Sequence, residues 1–162
     1  QHKLFCGISD TAFSPDSTMT RGMLTTVLYR MAGEPNIENE IWGYPFADVN
    51  AEAYYGTAIY WARLNGISNG YSDEKFGPDD PITREQLAVI LYNYSGSPTS
   101  PQTLEGFTDT DKISSYALNA LCWTVEQGIL QGKGNGVLDP AGQATRAEVA
   151  AILQRFCQIS KM

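Results

Sequence analysis

Apolar residues return along this chain at helical intervals, and they do so three times. Leu24, Val27, Leu28 and Met31 fall at i, i+3, i+4 and i+7. Leu87, Ile90, Leu91 and Tyr94 repeat that spacing, as do Val149, Ile152, Leu153 and Phe156. A Thr-Arg pair precedes each stripe, at Thr20-Arg21, Thr83-Arg84 and Thr145-Arg146, 63 and then 62 residues apart. A threonine hydroxyl can accept from the free N–H groups of a first helical turn, so Thr20, Thr83 and Thr145 read as N-caps. Gln86 and Glu148 lie three residues after their threonines and complete capping boxes. Ile82 with Leu87 and Ala144 with Val149 occupy hydrophobic-staple positions. Gly33 and Gly96 suit the left-handed position beyond a helix end.

A second helix is expected upstream of the second and third stripes, over about 51–65 and 114–127. Ala58, Ile59 and Ala62 would form the apolar face of one, and Leu118, Leu121 and Val125 that of the other, with Gly66 and Gly128 closing them. Short extended pieces are expected near 67–71 and 129–132. Further matches fill the register. Phe46-Ala47-Asp48 corresponds to Phe107-Thr108-Asp109, Tyr54 to Tyr116, and Trp61 to Trp123. Leu4-Phe5-Cys6-Gly7, Ile67-Ser68-Asn69-Gly70 and Ile129-Leu130-Gln131-Gly132 also align. The chain therefore reads as two complete repeats and the back half of another: 1–33, 34–96 with its linker, and 97–162 with its linker, forming one module. A two-helix unit buries one face and needs neighbours, so the fold class is all-α helical-hairpin repeats with Gly/Pro loops. Spacing alone does not choose between a linear stack and a closed arrangement.

The composition narrows the partners. Among 162 residues, 43% are hydrophobic, enough for a core. Eleven Lys and Arg against eighteen Asp and Glu give a net charge of −7, which argues against nucleic acid, whose phosphates reward a basic face. Cys6, Cys122 and Cys157 form no C-x-x-C pair, and the one histidine is His2, so neither a zinc site nor a Ser/His/Asp set is expected. Cys122, beside Leu121, reads as a buried thiol, while Cys6 and Cys157 could pair in an oxidising setting. Asp48-Val49-Asn50-Ala51-Glu52 begins like a calcium loop, yet position twelve is Ile59 and position six is not glycine. Repeated acid placement favours architecture over one glycosidase site. No catalytic residue, cofactor or metal is expected. No apolar run of about 18 residues or signal peptide is evident, and membrane insertion is not expected.

The three arginines carry the sharpest chemical signal. Each sits at a first helical position, where the macrodipole disfavours a cation by roughly 0.3–1 kcal/mol. A thrice-repeated unfavourable choice demands compensation. An oxyanion such as a carboxylate could supply it by meeting helix N–H groups and a guanidinium fork together. The structural alternative is that each arginine pairs with an aspartate, for instance Asp48 or Asp109, and staples repeats together. Asp48 and Asp109 could instead be helix caps. Trp61 and Trp123 read as packing residues.

The string Phe-x-Asp, aromatic, Ala-Ile, Gly-Ile-x-x-Gly-Tyr, Phe-x-Pro-Asp, Ile-Thr-Arg-Glu resembles the S-layer homology motif. The second repeat carries it from Phe46 to Tyr94, and the third from Phe107 to Glu148. The resemblance implies three motifs in one pseudo-threefold bundle with ligand grooves between adjacent repeats. It also implies non-covalent anchoring of an exported protein to a secondary cell-wall polysaccharide, often pyruvylated, whose ketal supplies a carboxylate. The implied location is extracellular, on a Gram-positive-type wall. The matching groove positions are Arg21, Arg84 and Arg146; Asp48 and Asp109; Tyr54 and Tyr116; and Gly7, Gly70 and Gly132. Tyr54 and Tyr116 stand where this family commonly has Trp, and Thr20-Arg21-Gly22-Met23 lacks the usual following acid. A protein-interaction or surface-layer assembly module without glycan binding is the alternative function.

The first repeat begins at its loop, so the expected bundle lacks its first helix unless an upstream segment or a second chain completes it. The expected consequence is a dimer, an exchanged helix or poor solubility. Sedimentation equilibrium checks this, and a well-behaved monomer with a closed core would contradict it.

Overall fold

Threonine hydroxyls start the helices where the capping pattern requires. In the computed structural model, which describes residues 14–37, 46–100 and 103–159, α1 is Arg21–Met31, α2 Gly56–Leu64, α3 Arg84–Tyr94, α4 Leu118–Glu126 and α5 Arg146–Ile159. Single 3-10 turns occur at Thr110–Lys112 and Ser115–Ala117. Met23 N–H donates to the Thr20 hydroxyl at 3.2 Å. Thr83 and Gln86 exchange both bonds of a capping box at 3.3 Å, and Thr145 and Glu148 do so at 2.8 and 3.2 Å. The first four helices end in a common wrap. Glu34 N–H donates to Tyr29 O at 3.0 Å, Ile67 to Ala62 O at 2.8 Å, Ser97 to Tyr92 O at 3.0 Å and Ile129 to Thr124 O at 2.9 Å. The intervening glycine of each lies at positive φ.

The front-half helices are shorter than their periodicity implies. Asn50 Oδ1 accepts from Glu52 N–H at 3.0 Å, and Ala53 and Gly56 N–H donate to the carbonyls three residues back at 3.1 and 2.8 Å. Residues 51–55 therefore form turns, and the helix begins only at Gly56, under the folded-back Ala51 carbonyl. In the later repeat the equivalent stretch is the 3-10 turn Ser115–Ala117. The apolar face of α4 also differs from expectation. Ala117, Ala120, Leu121 and Thr124 are buried, whereas Leu118 is exposed. Thr124 looks polar in sequence, but its hydroxyl donates to Ala120 O at 2.8 Å and enters the core satisfied. The face is set one residue earlier than the apolar letters suggest.

No strand forms at 67–71 or 129–132. Among the described residues, extended pairing is limited to isolated antiparallel bridges joining Thr18 to Thr145, Thr20 to Pro81 and Thr83 to Gln143. These lie at the helix starts, where the residues before each first turn are extended.

The chain divides into two compact units whose limits differ from the repeat borders: residues up to 15 with 19–81, and 16–18 with 82 onward. In the first unit α1 packs on α2, and in the second α3 packs on α4. Each helix pair thus joins the back half of one repeat to the front half of the next. Leu24, Leu28, Ile59, Phe46 and Phe76 are fully buried in the first unit. Leu87, Leu91, Leu121, Ile129 and Leu138 are fully buried in the second, with Val149, Leu153 and Phe156 of α5. Each such side chain contributes about 1.5–3 kcal/mol by burial. Trp61 and Trp123 are buried packing residues, with ring centroids 5.5 Å from Tyr29 and 5.8 Å from Tyr92. Cys122 is buried, which pushes its thiol pKa up. Cys6 lies outside the described residues.

Gly70 separates backbone strain from steric exclusion. It has φ +74°, and a Cβ there would stand 2.7 Å from both Lys75 O and the Phe46 ring, whereas Gly66, at φ +64°, has open space around it. Gly66→Ala is expected to cost about 1–2 kcal/mol from the left-handed conformation alone. Gly70→Ala should cost at least about 1 kcal/mol more through overpacking. Chemical denaturation of both variants checks the order.

Candidate functional site

All three Thr-Arg arginines are buried, each with 3–4% exposure. The backbone positions them first. Arg21 N–H donates to Asp80 O at 3.0 Å, Arg84 N–H to Gly142 O at 2.9 Å, and Arg146 N–H to Ser17 O at 2.8 Å. The side chains of Arg21 and Arg84 then turn into the same loops. Arg21 Nε donates to Phe76 O at 2.9 Å, with its guanidinium carbon 4.4 Å from the Tyr71 ring centroid and 4.8 Å from that of Phe76. Arg84 Nε donates to Leu138 O at 2.9 Å and Nη2 to Gln131 O at 2.6 Å. Burial works against the charged form of Arg84, while Glu148, Asp139 and Asp109 favour it through space. Loop carbonyls and ring faces thus offset the unfavourable placement of a cation at a helix start.

Asp48 and Asp109 hold the other side of the same loops. Phe76 and Gly77 N–H donate to the two Asp48 oxygens at 2.9 and 2.8 Å. Leu138 and Asp139 N–H donate to those of Asp109 at 2.9 and 2.8 Å. Arg21 and Asp48 therefore grip one peptide segment, by its carbonyl and its amides respectively, as Arg84 and Asp109 grip another. The stapling alternative takes an indirect form, with loop backbone between the two charges. Asp109 precedes the 3-10 turn Thr110–Lys112, yet its side chain makes no cap bond, so the capping alternative does not hold for it. Burial raises the Asp48 pKa, but the amide hydrogen bonds and nearby Lys75 outweigh it and hold it below the ordinary value. For Asp109 the Leu138 hydrogen bond leads, aided by that from Asp139, and overcomes burial in the same direction.

The remaining candidates divide into two kinds. Gly70 and Gly132 are packing glycines: the Phe46 ring and the Phe107 ring each stand 2.7 Å from where a Cβ would lie. They let the aromatic residue of Phe-x-Asp lie against its loop. Gly7 lies outside the described residues. Tyr54 and Tyr116 are alike at 59% exposure. Tyr116 Oη donates to Glu85 Oε1 at 3.2 Å, next to Arg84. Tyr54 packs edge-on against Tyr55 at 5.0 Å, and Tyr55 lies 3.1 Å from where a Gly22 Cβ would be, next to Arg21. Both exposed rings therefore flank a Thr-Arg helix start.

Glu85 is the residue that sequence reasoning missed. It is 93% buried, with 7% exposure, and its carboxylate accepts from Ser114 N–H at 3.0 Å and the Ser114 hydroxyl at 2.7 Å as well as from Tyr116. An acid in a first helical turn already has a local reason in the macrodipole, which conceals its tertiary role. The available signal was comparative. Gly22 and Ala147 occupy the same register position, and Tyr55 stands where the later repeat has Ala117. A large ring accompanies glycine in one unit and a small residue accompanies glutamate in the other.

The S-layer homology domain profile matches residues 45–88 and 106–150. The chain belongs to the S-layer homology domain family, whose repeats serve cell-surface anchoring and are not catalytic units. It is 34% identical over 154 residues to an amylopullulanase of Thermoanaerobacterium thermosulfurigenes, covering 91% of this chain and 8% of that protein. It is 33% identical over 151 residues to exoglucanase XynX of Acetivibrio thermocellus, covering 91% and 14% respectively. A surface-layer 125 kDa protein of Lysinibacillus sphaericus is 29% identical over 152 residues, covering 92% and 12%. The chain thus spans a small fraction of these relatives. Among the described residues, no helix is long and apolar enough to cross a membrane.

The carboxylate of Asp109 sets a pH-dependent test. Asp109→Asn can accept with one oxygen and turns an amide toward the loop N–H groups, so it is expected to cost about 2–3 kcal/mol at neutral pH. A depressed carboxyl pKa contributes stability above the unfolded value and loses it as pH falls through the folded one. The difference between wild type and variant should therefore be full at neutral pH and shrink below about pH 4. Urea denaturation across that range measures it.

Proposed function

We propose that this chain anchors an exported protein to the bacterial cell wall by binding secondary wall polysaccharide, with pyruvylated sugar as the favoured ligand. The observation that carries this reading is the pair of exposed tyrosines, Tyr54 and Tyr116, each flanking a buried Thr-Arg helix start. An exposed aromatic face suits the C–H surface of a pyranose ring. A guanidinium close to that face suits a ketal carboxylate. One groove would be built around Arg21, Asp48, Tyr54 and Gly70, and a second around Arg84, Asp109, Tyr116 and Gly132. Arg146 and Gly7 would serve a third. The two aspartates and the loop glycines act by holding the loops that shape the groove floors. The wall would be of the Gram-positive type, with 1–33, 34–96 and 97–162 as repeats of one module. Family membership and the surface-layer relative support the anchoring part of the reading.

The test uses the tyrosines, because removal of Arg84 would also release the Leu138 and Gln131 carbonyls. Wild type should co-sediment with native wall sacculi and not with sacculi stripped of secondary polymer. The double variant Tyr54→Ala/Tyr116→Ala, confirmed folded by circular dichroism, should bind roughly tenfold or more weakly. Binding to stripped and native walls alike, or to neither, would sink the proposal and favour a protein-interaction or assembly role.

A further inference from the structure

We propose that Glu85 is a positioning residue for sugar binding in the second unit, because it fixes the ring of Tyr116 as a preoriented platform. This rests on the polysaccharide-binding reading above and adds a residue to it. Tyr116 is more than half exposed, so core packing does little to select its orientation. The hydroxyl end of the ring is nevertheless tethered: Oη donates to Glu85 Oε1 at 3.2 Å. The same oxygen accepts the Ser114 hydroxyl at 2.7 Å, and Oε2 accepts Ser114 N–H at 3.0 Å. One buried carboxylate thereby joins the first turn of α3 to the segment that carries Tyr116, just before α4.

The other unit holds its platform differently. Gly22 replaces the glutamate, and a Cβ there would stand 2.9 Å from Pro78 O and 3.1 Å from the Tyr55 ring. Tyr54 rests edge-on against Tyr55 at 5.0 Å. One tyrosine is thus set by a ring neighbour and the other by an anionic acceptor. A ring held before ligand arrives spares the side-chain ordering cost of binding, which runs to about 0.5–1.5 kcal/mol per immobilised side chain. Glu85 therefore acts on affinity through Tyr116 and need not touch the sugar.

The experiment is a double-mutant cycle on binding to purified wall polymer, with Glu85→Ala, Tyr116→Ala, the pair together, and Glu85→Gln. Glu85→Ala and Tyr116→Ala should each weaken binding by about three- to tenfold, and the pair no more than Tyr116→Ala alone. Glu85→Gln retains an acceptor oxygen and should recover most of the affinity. Aromatic NMR of Tyr116 in the ligand-free protein should show added ring disorder in Glu85→Ala, relieved in Glu85→Gln. A Glu85→Ala variant with wild-type affinity, additive losses in the cycle, or an unchanged Tyr116 ring would each overturn the positioning role. If Glu85→Ala does not fold, Glu85→Gln against Tyr116→Phe decides: Tyr116→Phe deletes the tether while leaving the ring, and must also raise ring disorder. Failure of wild type to bind polymer would count against the functional reading instead, while the ring measurement would still decide the tether.

Discussion

The structure depends on a helix start that is held by the loop of another repeat. A threonine caps the helix from within. The arginine that follows donates its backbone N–H, and in the two fully described grips its side chain as well, to that loop. An aspartate fixes the loop's amides from the opposite side. Removing the aspartate would leave amides unsatisfied, and removing the arginine would leave carbonyls unsatisfied. Both losses fall on buried or half-buried backbone, where an unmet polar group is costly. This explains how a residue disfavoured by the helix dipole is accommodated at Arg21 and at Arg84.

The same grip explains the mismatch between repeats and compact units. Hydrophobic stripes on α1 and α3 need partners, and the loop contact brings each to a front-half helix of the following repeat. A repeat of this kind is a unit of sequence, while the unit of packing straddles two of them. The exposed rings sit on that junction because Tyr54 and Tyr116 lead into α2 and α4 just where those helices meet α1 and α3.

Equivalent positions have diverged as compensating pairs. Gly22 with Tyr55, and Glu85 with Ala117, exchange bulk from one side of the junction to the other. Each exposed tyrosine accordingly has its own neighbour, Tyr55 in one unit and Glu85 in the other. Sites built on one repeat pattern can therefore differ in chemistry without a change of fold.

Much of this was legible in the sequence. Thr20, Thr83 and Thr145, the boxes at Gln86 and Glu148, the glycine closures and the buried stripes are local matters, governed by short-range hydrogen bonds and a 3.6-residue period. The family resemblance, now shown by the profile match, came from the same register. What tertiary structure alone decided was non-local. Asp48 and Asp109 bind loop amides 28 to 30 residues further on, and Arg21 and Arg84 reach carbonyls 47 to 55 residues away. Glu85 looks like an ordinary acid in a first helical turn until Ser114 and Tyr116 are brought to it from about thirty residues away. Sequence determined which segments would be helices and, at the Thr-Arg pairs and the closing glycines, where they are capped. Only the folded chain decided which polar groups those segments exchange, because such bonds join residues tens of positions apart, beyond the reach of any local pattern.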